Sequence, residues 1–235
     1  MITPRDKEYK QTKQIKQGKL TIKAEFKPLA EWIDKEFGVK TINIIYYTIE
    51  KVQRPALNIC LEFESDKGKF HDTSNFNFDI IKTQAIGKKF KSILQEQGII
   101  KDKGLFDFFQ KDCDAKYKAN NIWIVFSAFE PIAKAEANES VPEEKIQELK
   151  RSLANKDLWG ISRAFTGATF FLYTEKQVEV YSKNGIKEEW TDKYYNLLQQ
   201  YDEFHYFKKD FYSIYLDSKE NFDKNYQGNW YYYYK

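Results

Sequence analysis

The feature that most constrains the fold is the aromatic load of the last 35 residues. Residues 201–235 hold 14 of the chain's 41 aromatic side chains, and that much ring surface has to be buried against other elements or presented to a partner. Phe211, Ser213, Tyr215 and Asp217 alternate with Tyr212, Ile214 and Leu216, the pattern of a half-buried strand. Asp217-x-x-Glu220 has the form of a capping box opening a helix that carries Phe222 and Tyr226 on one face. Gly228 supplies a left-handed exit, after which residues 230–234 read as a closing strand tied into a sheet. Tyr212, Trp230, Tyr232 and Tyr234 are the candidate surface for a protein partner. A base-stacking platform is disfavoured, because the same segment has five Lys against six Asp or Glu and a phosphate-tracking groove needs a positive excess.

The whole chain repeats that balance. Its 38 basic and 35 acidic residues leave a net charge of +3, which points to neither nucleic acid nor an acidic membrane. Only Arg5, Arg54, Arg151 and Arg163 offer the planar fork suited to bidentate readout. No window approaches 18 consecutive apolar residues, and no cleavable apolar leader follows Met1. The expectation is therefore a cytoplasmic protein with no membrane partner, in which the Asn138 sequon has no role.

Periodicity divides the chain into elements. Residues 1–19 space Lys7, Lys10, Lys13, Lys16 and Lys19 three apart with few apolar neighbours, a flexible basic arm. Leu20, Ile22, Ala24 and Phe26 alternate as a strand; Leu29, Ile33 and Phe37 form a helical stripe between Pro28 and Gly38. Strands are expected at 41–50 and 56–64, then a turn at 65–68 leading to a strand near 75–78. Ile86, Phe90, Ile93 and Leu94 define a helix closed by Gly98, and Leu105, Phe108 and Phe109 begin another. Residues 122–126 read as a central strand, and Ser140-x-x-Glu143 with Pro142 announces a helix bearing Ile146, Leu149 and Leu153. Residues 168–173 and 178–182 read as a hairpin, with a helix capped by Thr174-x-x-Gln177 as the alternative, and Tyr194, Leu197, Leu198 and Tyr201 mark a last helix.

A faint echo joins the halves. Gly98-Ile-Ile-Lys, Phe108-Phe-Gln-Lys and the strand from Ile122 resemble Gly185-Ile-Lys-Glu, Leu198-Gln-Gln-Tyr and the strand from Tyr212. The fold expected is α+β, with a mixed, mainly antiparallel sheet, packed helices and two similar halves at 20–137 and 138–235; one compact unit is the alternative.

Catalytic signatures are scarce. Two histidines rule out His-rich metal sites, and no Walker, dinucleotide-binding or Gly-x-Ser-x-Gly motif is present. Cys60 and Cys113 have no metal-like spacing. His205, near Asp202 and Glu203, reads first as a loop residue. One enzymatic alternative stands: Glu62 and Glu64, two apart on a strand with Cys60 on the same face, joined by His71 and Asp72, would hold a divalent metal for hydrolysis or nuclease chemistry. The favoured reading is a non-enzymatic protein-binding module (adaptor, inhibitor or regulator) that needs no cofactor.

Overall fold

The structure, a computed structural model, describes residues 3–72, 77–100 and 116–235. The chain forms two compact units, Met1–Glu130 and Pro131–Lys235.

In the first unit, residues 7–16 are not a solvated arm but helix α1 (Lys7–Lys16). The three-residue spacing of its lysines leaves a second face free. There Tyr9, 2% exposed, stacks on Phe129 at 5.2 Å, and the buried Thr12 hydroxyl accepts from Asn43 at 3.1 Å. The stacked ring, the buried hydrogen bond and the ion pair of Lys16 with Glu62 dock a helix that composition alone leaves in water. The strand expected around Leu20 to Phe26 is also absent. A 3-10 turn over Ala24–Phe26 drops Phe26 between Phe90 and Tyr117 and leads directly into α2 (Lys27–Phe37), which ends at Gly38 with φ 60° as its glycine implies.

Strands β1 (Thr41–Ile49) and β2 (Arg54–Leu61) form an antiparallel hairpin, and β3 (Trp123–Ala128) adds in parallel to β2. Between them lie α3 (Glu64–Gly68), where a turn was expected, and α4 (Ile80–Glu96), whose first amides are accepted by Asp79. Of the strand expected near 75–78, Phe78 makes an isolated bridge with His71. The helix expected around Leu105, Phe108 and Phe109 lies outside the described residues, as does Cys113. Helix α5 (Phe129–Ser140) follows β3.

The second unit repeats this plan. Helix α6 (Glu143–Leu153) precedes the hairpin β4 (Leu158–Ala164) and β5 (Gly167–Leu172); α7 (Glu175–Tyr181) and α8 (Ile186–Leu198) follow; β6 (Tyr215–Ser218) joins in parallel to β5. The expected hairpin over 168–182 is replaced by the capped helix. Thr174 Oγ1 accepts from the Gln177 amide at 3.3 Å and Gln177 Oε1 from the Thr174 amide at 2.9 Å, a reciprocal closure that outweighs the strand preference of Val178 and Val180. Helices α9 (Lys219–Tyr226) and α10 (Trp230–Tyr233) end the chain.

The resemblance of the halves reaches individual hydrogen bonds. Each first strand is bulged at its start, between Thr41 and Asn43 and between Leu158 and Gly160. The Glu62 amide donates to Lys40 O at 2.8 Å, and the Tyr173 amide to Asp157 O at 3.2 Å. The second residue of the helix after each parallel strand reaches back in the same way, Glu130 N to Glu62 O at 2.9 Å and Glu220 N to Tyr173 O at 3.2 Å. The carboxylates of those two residues accept the opening amides of α3 and α7: Glu64 N donates to Glu130 Oε2 at 3.4 Å, and Glu175 N to Glu220 Oε2 at 3.1 Å. Ala128 pairs with Leu61, and Ser218 with Leu172, so the strand portions of the sequence echo occupy equivalent positions.

Candidate functional site

The C-terminal aromatics of the second unit are partly packed among the core rings and partly exposed. Ser218, not Asp217, caps α9, accepting from the Asn221 amide at 2.9 Å. Asp217 instead accepts the Tyr233 hydroxyl at 2.5 Å. Residues 230–233 are helical rather than a strand because Asn229 caps them, accepting from the Tyr231 amide at 2.9 Å, and because the turn directs Trp230 inward. Its ring centroid lies 4.2 Å from that of Phe222, 5.3 Å from Phe171 and 6.3 Å from Trp159. The Tyr234 hydroxyl donates to Ser162 Oγ at 2.7 Å.

Of the four residues assigned from sequence to a partner surface, Trp230 packs on these rings and keeps 41% of its surface exposed, and Tyr234 is tied to Ser162. Tyr212 is half-buried against Tyr194, Tyr195 and Phe207, with its hydroxyl enclosed and without a hydrogen-bond partner among the described residues. Burial pushes the Tyr212 and Tyr233 phenols well above their ordinary range, and the neighbouring Asp217 adds to the effect at Tyr233. Tyr232 is half exposed at the chain's end.

Three exposed rings lie around a groove of about 360 Å³ at the start of β5 and β6. Phe165, Phe211 and Tyr215 form its rim, 71%, 92% and 66% exposed, and Phe207, Tyr212 and Tyr234 line it further in. Its described lining holds one cation, Lys134, and no carboxylate. The Lys134 ammonium lies 5.6 Å from the Phe207 ring centroid.

Phe165 is held out at a cost. It is the first residue of the two-residue turn between β4 and β5 and has φ 53°, where glycine, asparagine or aspartate normally stands. Asn138 maintains the turn: its Nδ2 donates to Phe165 O at 3.1 Å and to Gly167 O at 2.9 Å, while its Oδ1 accepts from the Tyr194 hydroxyl at 2.7 Å. Arg163 adds a bond to Asn138 O at 2.9 Å. A buried residue read only as an idle sequon is the clamp beneath the rim. On another side, buried Asp202 accepts from the Phe207 amide at 2.7 Å and fixes the loop carrying His205, so that carboxylate is committed to the backbone.

The carboxylate alternative fares differently. Strand β2 ends at Leu61, so the alternation does not carry Glu62 and Glu64 onto one face; Glu64 opens α3 and pairs with Lys67 at 2.6 Å. Glu62 is 3% exposed and held between Lys16 and Lys40, the latter at 2.5 Å. This pairing raises the Lys40 ammonium above its ordinary value, chiefly through the Glu62 hydrogen bond. His71 packs its ring on Phe78 at 4.8 Å, and the Asp72 amide donates to Asn77 O. Among the described residues no three His, Cys, Asp or Glu are grouped to hold a metal. Cys60 is buried, and desolvation pushes its thiol to about 11, which leaves it unreactive as a nucleophile at neutral pH.

Comparison with protein-family models, curated proteins and solved structures finds no match. No described helix is long and apolar enough to cross a membrane. What the fold defines is an α+β protein of two similar halves, the second carrying an exposed aromatic rim.

Proposed function

We propose that the chain is a protein-binding module whose contact site is the aromatic groove of the second unit. The observation that carries this reading is the convergence of Phe165, Phe211 and Tyr215, three large exposed rings, on one concavity. Exposed apolar surface gathered in one place marks interaction sites, and Phe165 is kept outward in a left-handed turn by the buried Asn138 clamp beneath it. The groove's size suits one or two side chains rather than a large cofactor. Its partner is a protein segment that inserts an apolar anchor between these rings.

The test uses Phe165→Asn together with Phe211→Ser in the full chain. Asparagine tolerates the turn's positive φ, so Phe165→Asn leaves stability unchanged or raises it by up to about 1 kcal/mol. A partner captured by a photo-crosslinking residue at position 215 is expected to bind this double variant at least about tenfold more weakly, the loss typical of a central aromatic anchor. Tyr231→Ala/Tyr232→Ala should leave it bound. Equal affinity for wild type and the Phe165/Phe211 variant would refute the site.

A further inference from the structure

The first unit also has a groove at the start of its parallel strand pair, the place occupied by the aromatic rim in the second unit, but its chemistry is cationic. It measures about 910 Å³, within the range of small-molecule sites. One wall is α4, which presents Thr83, Gly87, Lys88 and Lys91 along one face. Gly87 allows the close approach, since a Cβ there would stand 3.3 Å from Ile122 Cγ2. The other wall is the beginning of β2 and β3, with Arg54, Asn121 and Trp123.

Three observations point to a ligand class. Helix α4 carries four lysines and one glutamate, and neither Lys88 nor Lys91 has a carboxylate partner among the described residues. The two stand one turn apart, roughly 4.5 Å along the axis, which suits the oxygens of one phosphate or two adjacent ones. Opposite them the Arg54 guanidinium is already fixed: Nε donates to Asn121 O at 3.0 Å and Nη2 to Asn121 Oδ1 at 3.2 Å, with Cζ 5.4 Å from the Trp123 ring centroid. Trp123 is 45% exposed, so an indole with a guanidinium over its ring borders the groove. The side-chain amide of Asn120 also lines the groove, with a donor and an acceptor for a ring edge.

We propose that this groove binds a nucleotide unit, its phosphate on Lys88 and Lys91 and its base against Trp123 and Arg54. Cations alone would suit any polyanion; the exposed indole facing them selects a phosphate joined to a planar ring. The near-neutral charge of the whole chain hides this, because the three cations share their described lining with Asp72 as the sole carboxylate. The reading is independent of the protein-binding groove in the other unit.

The experiment titrates the full chain with ATP, with a short oligo-dT strand and with inorganic pyrophosphate, by calorimetry and fluorescence anisotropy, at two salt concentrations. Wild type is expected to bind one of the two nucleotide probes more tightly than pyrophosphate: a preference for the strand with a steep salt slope assigns a polymer, and a preference for ATP a free nucleotide. Lys88→Gln/Lys91→Gln should weaken all three probes at least about tenfold. Trp123→Ala, checked for an unchanged melting temperature, should weaken the nucleotide probes about fivefold or more and leave pyrophosphate unaffected. No binding at millimolar probe, or binding indifferent to the lysine pair, overturns the site. Equal losses of nucleotide and pyrophosphate in Trp123→Ala overturn the base assignment.

Discussion

Replacing Asn138 by alanine should unfasten the rim that Phe165 belongs to. The side chain is 1% exposed and makes three hydrogen bonds, two to the turn carbonyls of Phe165 and Gly167 and one from the Tyr194 hydroxyl. Those losses are unequal. The turn carbonyls lie near solvent and recover part of their bonding from water, about 0.5 kcal/mol each, whereas the Tyr194 hydroxyl sits in a residue with 0% exposure and loses its partner outright, at about 2 kcal/mol. The sum is about 3 kcal/mol in urea unfolding of the second unit followed by tryptophan fluorescence. Tyr194→Phe removes the hydroxyl without stranding it and should cost about 1 kcal/mol. In the double variant the orphaned hydroxyl no longer exists, so the two costs should fall short of additivity by about 1 kcal/mol or more. An Asn138→Ala cost below about 1 kcal/mol, or strict additivity with Tyr194→Phe, would show that the clamp does not hold the turn.

Two further outcomes follow from the same geometry. Lys116 at 2.7 Å, joined by the Tyr117 hydroxyl, holds the Glu25 carboxyl at about 2, against an ordinary 4.5. Its stabilisation is therefore complete above about pH 4.5 and is lost as pH falls from there through about 2, so Glu25→Gln should flatten the melting curve against pH in that window and nowhere else; an unchanged acid limb would count against the contact. Trp230→Ala removes a ring packed on Phe222, Phe171 and Trp159 that is 41% exposed, and should cost about 2 kcal/mol in urea unfolding, roughly half the value for a fully buried tryptophan; a cost under about 0.5 kcal/mol would return Trp230 to the partner surface.

The parts legible in the sequence are those whose signal is periodic and local. The stripe Leu29, Ile33, Phe37 between Pro28 and Gly38, and the paired runs that became β1 and β2, carry their pattern in adjacent residues. The misreadings arise where one distant contact decides. Nothing near Tyr9 shows that Phe129 will stack on it, and residues 230–233 have the composition of a strand until Asn229 caps them and Trp230 finds Phe222. The candidate site shows the same division. An aromatic C-terminal region was legible, but the rim was not: Phe165 sits in a turn signalled only by Gly167, and the exposure of Phe211 and Tyr215 depends on a strand that starts later than their alternation suggests. The carboxylate pair failed for a related reason, since period two holds only while the strand lasts and β2 ends one residue before Glu62.

The two halves show where such a chain is free to change. Glu130 and Glu220 each close the first turn of a helix on the far side of a sheet connection, and their neighbours Phe129 and Lys219 have nothing in common, so no run of similar residues announces the shared role. Losing either carboxylate leaves a helix N-terminus without that cap, a cost the fold bears whatever the protein binds. The groove rims are held by bonds that differ between the halves, Arg54 to Asn121 in the first and Asn138 to the Phe165 turn in the second. The β1–β2 connection spans residues 50–53 and the β4–β5 connection residues 165–166, and where Arg54 lies against Trp123 in one half, Phe165 projects near Tyr215 in the other. A substitution there alters what the surface attracts and leaves the sheet's hydrogen bonds intact. That asymmetry is why one plan can carry a cationic groove in its first copy and an aromatic one in its second.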